Sequence, residues 1–333
     1  MAIDGIEASS IVRVSAVVLV LVAFQAVVAV VQSAAPGTPT VGYYNGKCNI
    51  SVEGIVRDTV NAALDADITK GASLIRLFFH DCFVRGCDGS VLLDPTNANP
   101  YPEKTSDANI GFRGFDVIDA AKAKLESACP GAVSCADVLA FAAHDASNYL
   151  SKGGVSYAVP AGRLDGVVSS TADAGATLPG STFEVAKLIS SFAAKGFTPE
   201  ELVILSGAHA VGRAHCSSFR DRLAAPPSQI NPDFRDGNAT ALGNLTSYVV
   251  PAGGGATLDN SYYVNNLNNL VLFHSDWAIA GSSATVRHVR EYADNGTLWN
   301  LDFADALVKL GMLAMPPGSA GEVRKTCRAI NSY

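Results

Sequence analysis

An arginine, a phenylalanine and a histidine are spaced for chemistry on one face of a predicted helix. If residues 72–81 are helical, Arg76, Phe79 and His80 sit at i, i+3 and i+4, which puts a guanidinium, an aromatic ring and an imidazole side by side. The imidazole can accept and return a proton near neutral pH, whereas the guanidinium keeps its charge and can only stabilise developing negative charge. The pair therefore suits a reaction that breaks a polar bond and leaves an anion behind.

Taken alone, these three residues also fit an ordinary amphipathic helix with a partly buried histidine and an arginine that reaches water. The segment that follows, which contains Cys82 and Cys87, favours the chemical interpretation, because it holds oxygen donors at short alternating spacing, as a hard cation such as calcium requires. The side-chain donors and the available backbone carbonyls belong to Asp81, Val84, Gly86, Asp88 and Ser90. The segment thus predicts a proton-transfer site beside a calcium site.

Apolar spacing predicts the helices that must position this segment. Predicted helices cover residues 51–65, 115–128, 134–149, 184–194, 260–272, 283–294 and 301–313. A further helix starts at Thr198-Pro199-Glu200-Glu201, with Thr at the cap, Pro in the first turn and Glu three residues after the cap, and it leads to His209. Alternation is nowhere long enough for a substantial sheet, and the sequence has no internal repeat. The predicted class is mostly α.

Three stretches lack helical periodicity. Residues 95–109 are rich in Asn, Pro and Asp and predict an irregular connection that contains Asn109. Residues 153–180 are rich in Gly, Ser and Thr and predict a long surface segment. Residues 224–257 predict a second non-periodic insertion.

Composition indicates a folded globular chain and excludes one class of partner. The 333 residues are 48% hydrophobic, enough for one large core or two smaller ones, and the formal net charge is -7. A phosphate-binding protein needs a basic surface to release counterions, so no nucleic-acid partner is expected.

The N-terminus predicts a secretory signal peptide over residues 1–35, with cleavage between Ser33 and Val41. Arg13 precedes an apolar run over residues 14–31, and the small residues Ser33, Ala34 and Ala35 follow it. An uncleaved membrane anchor is the alternative, since the run is near the lower length limit for spanning a bilayer. With cleavage, residues 36–333 form a single domain and no membrane segment remains.

Cysteines and glycosylation sequons agree with passage through an oxidising compartment. The chain has seven cysteines, of which only Cys82 and Cys87 form an obvious local pair, and connectivity of the others is left open. Four Asn-x-Ser/Thr sequons occur, at Asn49, Asn238, Asn244 and Asn295.

The segment RLFFHDCFVRGCDGSVLLD resembles the distal segment of the secreted plant haem peroxidases, the class III family. The resemblance continues through GFRGFDVID, CPGAVSCADVLAFAAHDA, ELVILSGAHAVGRAHC, DNSYY, Ser275-Asp276 and GEVRKTC, and it covers the chain from Tyr43 to Cys327. It implies the haem peroxidase fold, in which two mostly helical halves clasp one haem b. We call the side of His80 distal and the side of His209 proximal.

The resemblance also implies roles for individual residues. His209 is then the iron ligand, and Asp276 is the carboxylate that accepts a hydrogen bond from its other ring nitrogen. On the distal side, Asn109 holds the His80 ring in the tautomer that leaves its inner nitrogen free, with Arg76 and Phe79 beside it. His144-Asp145 repeats the His-Asp pair of the distal segment without an arginine, and is read as structural.

The implied activity is reduction of hydrogen peroxide coupled to one-electron oxidation of phenols or other small donors at the haem edge. Pro179 matches the family position beside that edge, although Ser181 stands where a second proline is usual. The expected protein is a secreted monomer of the apoplast or cell wall, with the vacuole as another destination. The alternative is a catalytically weakened cell-wall glycoprotein that keeps the fold.

Family pairing implies the disulfides Cys48–Cys129, Cys82–Cys87 and Cys135–Cys327. The position of the usual partner of Cys216 falls near Thr246, where no cysteine occurs. Asp137 with Arg163 resembles a buried ion pair of the family, and Glu103 resembles a group near the distal calcium.

One cation site departs from the family pattern. The family's proximal calcium site would need oxygen ligands where this chain has Ala210, Pro251 and Gly254. One calcium ion, on the distal side only, is therefore expected.

Overall fold

The computed structural model describes residues 38–239, 248–249 and 255–332. The predicted signal peptide therefore lies outside the described residues, as do Asn244, Pro251, Gly254 and the side chain of Asn238. Among the described residues, no helix combines the length and the apolar character needed to cross a membrane.

Helices dominate the described residues and confirm the mostly α class. The helices are α1 (Val52–Ala66), α2 (Thr69–Arg85), α3 (Phe115–Ala128), α4 (Cys135–Leu150), α5 (Thr171–Thr177), α6 (Val185–Ala193), α7 (Pro199–Ser206), α8 (Pro232–Ala239), α9 (Ser261–Leu267), α10 (His274–Gly281), α11 (Val286–Asp294) and α12 (Gly296–Gly311). Short 3-10 turns cover Ser90–Leu92, Glu103–Thr105, Gly207–Ala210 and Cys216–Ala224.

Strands are short and pair only in twos. The antiparallel pairs are β1 (Thr40–Val41) with β2 (Pro160–Ala161), β3 (Asp165–Gly166) with β6 (Gly321–Glu322), and β4 (Ala214–His215) with β5 (Tyr248–Val249). Within the described part of the chain, these pairs tie loops together and form no larger sheet.

The helix α2 begins three residues earlier than predicted, because the Asp67 side chain accepts a hydrogen bond from the backbone N–H of Thr69. Its apolar face is fully buried against α1 and α4. Burial of Leu74, Leu77 and Phe83 fixes the rotation of the helix, and so determines where its polar residues point.

The predicted start of α7 is confirmed as a capping box. The Thr198 hydroxyl accepts from the backbone N–H of Glu201, and the Glu201 carboxylate accepts from the backbone N–H of Thr198. At the other end, the Trp299 indole N–H and the Tyr263 hydroxyl both donate to the carbonyl of Ile204. A Cβ on Gly207 would lie 2.7 Å from that indole nitrogen, so only glycine lets the chain turn here toward His209.

The prediction of a long surface segment over residues 153–180 is wrong, because its middle is buried. Arg163 lies 2.8 Å from Asp137, and both side chains are almost fully buried. Asp165 accepts hydrogen bonds from the backbone N–H groups of Cys135 and Ala136 at the start of α4. Charge pairing and helix capping hold this stretch inside the protein, and neither leaves a periodic apolar pattern in the sequence.

Three further features of the secondary structure differ from the prediction. Residues 224–257 are not wholly irregular, since they include α8 and β5. The helix α10 was not predicted, because its apolar residues surround the axis and form no stripe. The helix α12 begins before residue 301, where the Asn295 side chain accepts a hydrogen bond from the backbone N–H of Leu298.

The structure forms the disulfides Cys48–Cys129, Cys82–Cys87 and Cys135–Cys327, as the family pairing implied. Most buried apolar residues belong to one core that both halves share. A small separate cluster of buried residues lies on the proximal side and comprises Ala214, Cys216, Phe219 and Leu272.

Candidate active site

The distal histidine is held by two hydrogen bonds, one to each ring nitrogen. His80 Nδ1 lies 2.5 Å from Asn109 Oδ1, and Arg76 Nε donates to His80 Nε2 across 3.2 Å. Because the guanidinium can only donate, Nε2 must be the nitrogen with the free electron pair, and Nδ1 carries the hydrogen. The site therefore holds a neutral imidazole with its basic nitrogen next to a fixed positive charge.

Aromatic rings enclose this pair. The Phe112 ring lies 5.0 Å from the His80 ring, edge to face, and 5.0 Å from the Arg76 guanidinium carbon. Phe79 stacks on Phe83 at 4.7 Å and lies 6.0 Å from the His80 ring. The side chain of His80 thus has little freedom to turn.

Burial and charge keep the distal imidazole unprotonated. Burial, and next the positive charge of Arg76, hold the pKa of His80 well below its ordinary value, and the hydrogen bond with Asn109 offsets part of this. Desolvation by the surrounding protein lowers the pKa of Arg76 to about 10, so the guanidinium stays charged at neutral pH. The charge of His209 is a further, smaller cause of the lowered pKa of His80.

A chain of hydrogen bonds joins Asn109 to the predicted calcium loop. Asn109 Nδ2 donates to the carbonyl of Glu103 across 2.7 Å, and the Ser90 hydroxyl donates to Glu103 Oε1 across 2.8 Å. The Ser169 hydroxyl donates to the carbonyl of Ser90 and accepts from the backbone N–H of Glu103. The position of the His80 ring therefore depends on the loop that follows α2.

The predicted calcium loop concentrates buried oxygen donors. Asp81, Asp88, Ser90 and Glu103 are all buried, and Glu103 Oε2 has no hydrogen-bond partner. Burial raises the pKa of Asp81 well above its ordinary value, with the charge of Asp88 as the next cause. Burial also raises the pKa of Asp88 to about 6 and that of Glu103 to about 9. Buried carboxylates of this kind fit a hard divalent cation.

Two backbone carbonyls complete the predicted calcium set. Gly86 has φ = 84° and packs so closely on Ala314 that a Cβ would lie 2.2 Å from its carbonyl oxygen, so glycine is required. The carbonyl of Val84 accepts a hydrogen bond from Lys195 Nζ across 3.1 Å. The Lys195 ammonium therefore already uses one lone pair of the Val84 oxygen, and calcium would have to bind through the other.

On the proximal side, His209 and Tyr262 share one carboxylate. His209 Nδ1 lies 2.9 Å from Asp276 Oδ1, and the Tyr262 hydroxyl donates to the same oxygen across 3.0 Å. Burial raises the pKa of Tyr262 well above its ordinary value, so its hydroxyl remains a donor. This arrangement engages Nδ1 of His209 and leaves its Nε2 on the side of the ring away from Asp276.

The residues on both sides fit a flat iron macrocycle. The His209 side chain is 45% exposed although Ala210 and Asp276 beside it are buried, so its ring is accessible to a ligand. Arg76 is likewise accessible on the exposed face of α2, although the protein atoms around it desolvate the guanidinium enough to lower its pKa. His209 offers one ring nitrogen to an iron, whereas Nε2 of His80 is already hydrogen-bonded by Arg76.

The segment with Pro179 is tied to the proximal side. The backbone N–H of Ser275 donates to the carbonyl of Ser181, and the Ser181 hydroxyl donates to the carbonyl of Ser218. Pro179 is half-buried between α5 and α6. Ser181, which stands where a second proline is usual in the family, thus anchors this segment through its hydroxyl.

Other predicted positions lie apart from this chemistry. Asn49 and Asn295 are exposed, and Asn295 caps α12 through Oδ1, which leaves its side-chain nitrogen for a glycan. His144 Nδ1 lies 2.9 Å from Asp145 Oδ1, with the Tyr157 ring 4.7 Å from the His144 ring.

The sequence interpretation missed Phe112 and Tyr262. Both lie in motifs that resemble the family, GFRGFDVID and DNSYY, but their periodicity predicts only packing. A signal was present for Tyr262, since an aromatic hydroxyl that is buried needs a polar partner.

Comparisons with known proteins agree with this geometry. A family model described as peroxidase matches residues 56–295. Peroxidase 2 of Zea mays is 46% identical over 304 residues, which cover 88% of this chain and 89% of that protein. Peroxidase 5 of Vitis vinifera is 43% identical over 303 residues, covering 88% and 91%, and Peroxidase 47 of Arabidopsis thaliana is 42% identical over 299 residues, covering 87% and 88%.

Members of this family act on hydrogen peroxide and small donor molecules, with haem and in general calcium as cofactors. The helical structure agrees with the haem peroxidase fold. The chain is therefore a peroxidase and belongs to the class III peroxidase family of plants.

Proposed function

We propose that this peroxidase binds one haem b between His209 and His80, with His209 as the iron ligand. The observation that carries the proposal is the complementary tethering of the two imidazoles. Asp276 accepts a hydrogen bond from Nδ1 of His209, which leaves Nε2 for a metal. Asn109 accepts a hydrogen bond from Nδ1 of His80, which leaves Nε2 as a base beside Arg76.

Bound haem supplies the iron centre at which peroxide is reduced and from which donors are oxidised by single electrons. The chain contributes the proton transfer. His80 Nε2 accepts the proton of hydrogen peroxide and returns it to the departing oxygen, acting first as base and then as acid. Arg76 stabilises the charge that develops on the departing oxygen, and the low pKa of His80 keeps its nitrogen available for the first step.

Asn109 and Asp276 act as positioning residues in this scheme. Asn109 keeps the hydrogen on the outer nitrogen of His80, so the inner nitrogen stays basic. Asp276 accepts the hydrogen bond from His209 Nδ1, which raises the basicity of the ligating nitrogen. A more basic ligating nitrogen would favour the oxidised states of a bound iron.

Phenols are the proposed donors, because a planar, weakly polar molecule can reach a haem edge beside Pro179. Ser181 adds a hydroxyl close to that proline, and its bond to Ser218 fixes the segment. Replacement of Ser181 by proline is expected to change KM for phenolic donors and to leave the reaction with peroxide unchanged.

The distal loop is proposed to hold one calcium ion, through the side chains and carbonyls predicted above. The buried carboxylates with raised pKa support this proposal, because a divalent cation would offset their charge. Metal analysis of the purified haem protein should return one tightly held calcium ion per chain. Two such ions would contradict the expectation that the proximal site is lost.

The proposed mature protein is a secreted, monomeric domain of residues 36–333, released by cleavage of a signal peptide over residues 1–35. Support comes from the disulfides and from the exposed sequons at Asn49 and Asn295. The extracellular space of the plant cell wall is its proposed location.

An absorption spectrum followed by an activity assay tests the proposed function. The purified protein should show haem absorbance and should oxidise guaiacol only when peroxide is added. The variant His209→Ala should lose haem, and Arg76→Leu should keep haem but react slowly with peroxide. A colourless wild-type protein that takes up no haemin would overturn the proposal.

The same assay separates this proposal from a catalytically weakened glycoprotein. That alternative predicts haem absorbance without peroxide turnover. The contacts among Arg76, His80 and Asn109 on one side, and between His209 and Asp276 on the other, favour the active enzyme.

A further inference from the structure

A second cluster of metal-ligating side chains lies outside the haem site, where the start of α7 meets α11. Glu200 is in the first turn of α7, and His288 and Glu291 are one turn apart on α11. One ligand atom from each of the three residues lies within 4.8 Å of the other two. The spacing of His288 and Glu291 puts both side chains on one face of α11, toward α7.

The histidine of this cluster is buried and has one ring nitrogen without a hydrogen bond. His288 is 5% exposed, and its Nδ1 makes no hydrogen bond. That atom lies 3.2 Å from Glu200 Oε1 and 3.7 Å from Glu291 Oε2, but neither carboxylate is aligned with the ring as a hydrogen bond requires. A buried nitrogen that points between two carboxylates calls for a third partner.

The two distances from His288 Nδ1 lie close to those between ligands of a tetrahedral metal ion. With zinc bonds of about 2.0–2.2 Å to nitrogen and oxygen, two ligand atoms lie roughly 3.3–3.6 Å apart. The distances from His288 Nδ1 to Glu200 and Glu291 fall on either side of that range. Small side-chain adjustments would bring all three atoms onto one ion.

We propose that Glu200, His288 and Glu291 form a zinc site, with water as the fourth ligand. One imidazole nitrogen with two carboxylates suits zinc, a borderline metal, better than calcium, which takes oxygen ligands. The carboxylate side chains are 45% and 51% exposed, so the ion can enter from solvent while the histidine stays buried. This site is independent of the haem.

Zinc binding in this arrangement would require Arg287 to move away from His288. Without metal, Arg287 Nε donates to His288 Nε2, so the ring hydrogen is on Nδ1. Zinc takes the place of that hydrogen, and the neutral ring then carries its hydrogen on Nε2. Arg287 is exposed and must swing into solvent, because two N–H groups cannot face each other.

Zinc at this position would connect two helices of the proximal half. The helix α7 leads directly into the 3-10 turn that carries His209, and α11 packs against both α7 and α9. A metal bridge would therefore fix the start of the element that ends at the proposed iron ligand, without contact with the haem itself.

Equilibrium dialysis of the haem-loaded protein against zinc, in buffer with excess calcium, tests the proposal. Calcium keeps the distal loop occupied, and elemental analysis then counts zinc against haem iron. We expect one zinc ion per chain. Binding should weaken at least tenfold in His288→Gln and in Glu291→Gln, and the second change is at an exposed side chain that the fold does not need.

His274 provides the matched control. His274 Nε2 lies 2.9 Å from Glu184 Oε1, a histidine–glutamate pair without a second carboxylate in the cluster. His274→Gln should leave zinc binding unchanged, and Arg287→Ala should tighten it because Nε2 becomes free to carry hydrogen. Substoichiometric zinc in the wild type, or equal binding in Glu291→Gln, would overturn the proposal.

Discussion

The distal and proximal sides hold their histidines by different means. On the distal side His80 is 5% exposed, and α2, which carries it, ends at the Cys82–Cys87 disulfide. The other two disulfides and the buried Asp137–Arg163 pair lie in the same half. On the proximal side the His209 side chain is 45% exposed and is held by Asp276 and by aromatic contacts.

The difference indicates that the distal half is already ordered without haem, whereas the proximal half depends on haem for its order. Covalent links limit the freedom of the unfolded distal chain, so that half needs little help from a ligand. No disulfide joins the described residues between 180 and 313. The proximal half should therefore gain most of its order when His209 binds the haem iron.

Loss of the distal base is expected to have the largest effect. His80→Ala removes the proposed proton-transfer group, and general acid–base groups contribute about 10² to 10⁴ in rate. The rate of reaction with peroxide, measured by stopped-flow absorbance, should fall by that factor while haem stays bound. His144→Ala, which alters the other His-Asp pair, is the control and should react like the wild type.

The buried charge pair of the distal half should be the next most sensitive feature. Asp137→Ala leaves Arg163 buried without its partner, which typically lowers the free energy of unfolding by about 3–5 kcal/mol. Guanidinium unfolding measures the change. Asp116→Ala, which breaks the exposed pair with Lys70, should change it by only about 0–1 kcal/mol.

Removal of haem should affect backbone hydrogen exchange differently in the two halves. In the haem-free protein, backbone amides near His209 and in α10 should exchange at least tenfold faster than in the haem-loaded protein. Amides of α1 and α4 should change little, because disulfides and core packing hold them. Hydrogen–deuterium exchange with mass spectrometry measures both, and equal acceleration in the two halves would argue against the division.

The smallest expected effect is at Tyr262. Tyr262→Phe removes one of the two hydrogen bonds to Asp276 Oδ1, with a loss of about 0.5–1.5 kcal/mol in stability. The carboxylate then accepts more strongly from His209, so the reduction potential of the haem iron should fall. A spectroelectrochemical titration checks the sign. Tyr263→Phe, which removes a bond to the carbonyl of Val203, should leave the potential unchanged.

Local patterns predicted the elements that carry chemistry. Spacing alone put Arg76 and His80 on one helical face, and the capping box of α7 was recognisable from four residues. Both signals depend on residues close in sequence. The pairing of His209 with Asp276, 67 positions apart, came only from the family resemblance.

Buried polar contacts between distant segments were the hardest to predict. Residues 153–180 have the composition of a surface loop, yet Arg163 and Asp165 are buried because partners from α4 and the C-terminal segment satisfy them. No periodic pattern marks such partners. The cluster of Glu200 and His288 could not be predicted either, because these residues are 88 positions apart and come together only when α7 and α11 pack.

The Cys135–Cys327 disulfide closes a loop of 192 positions, which contains the whole proximal half. A protease that cuts the backbone once anywhere inside this loop would produce two fragments that remain covalently joined. Such damage would be invisible on a non-reducing gel and would appear as two bands only after reduction. The enzyme could thus be nicked near the proposed iron ligand His209 and still keep both pieces in place.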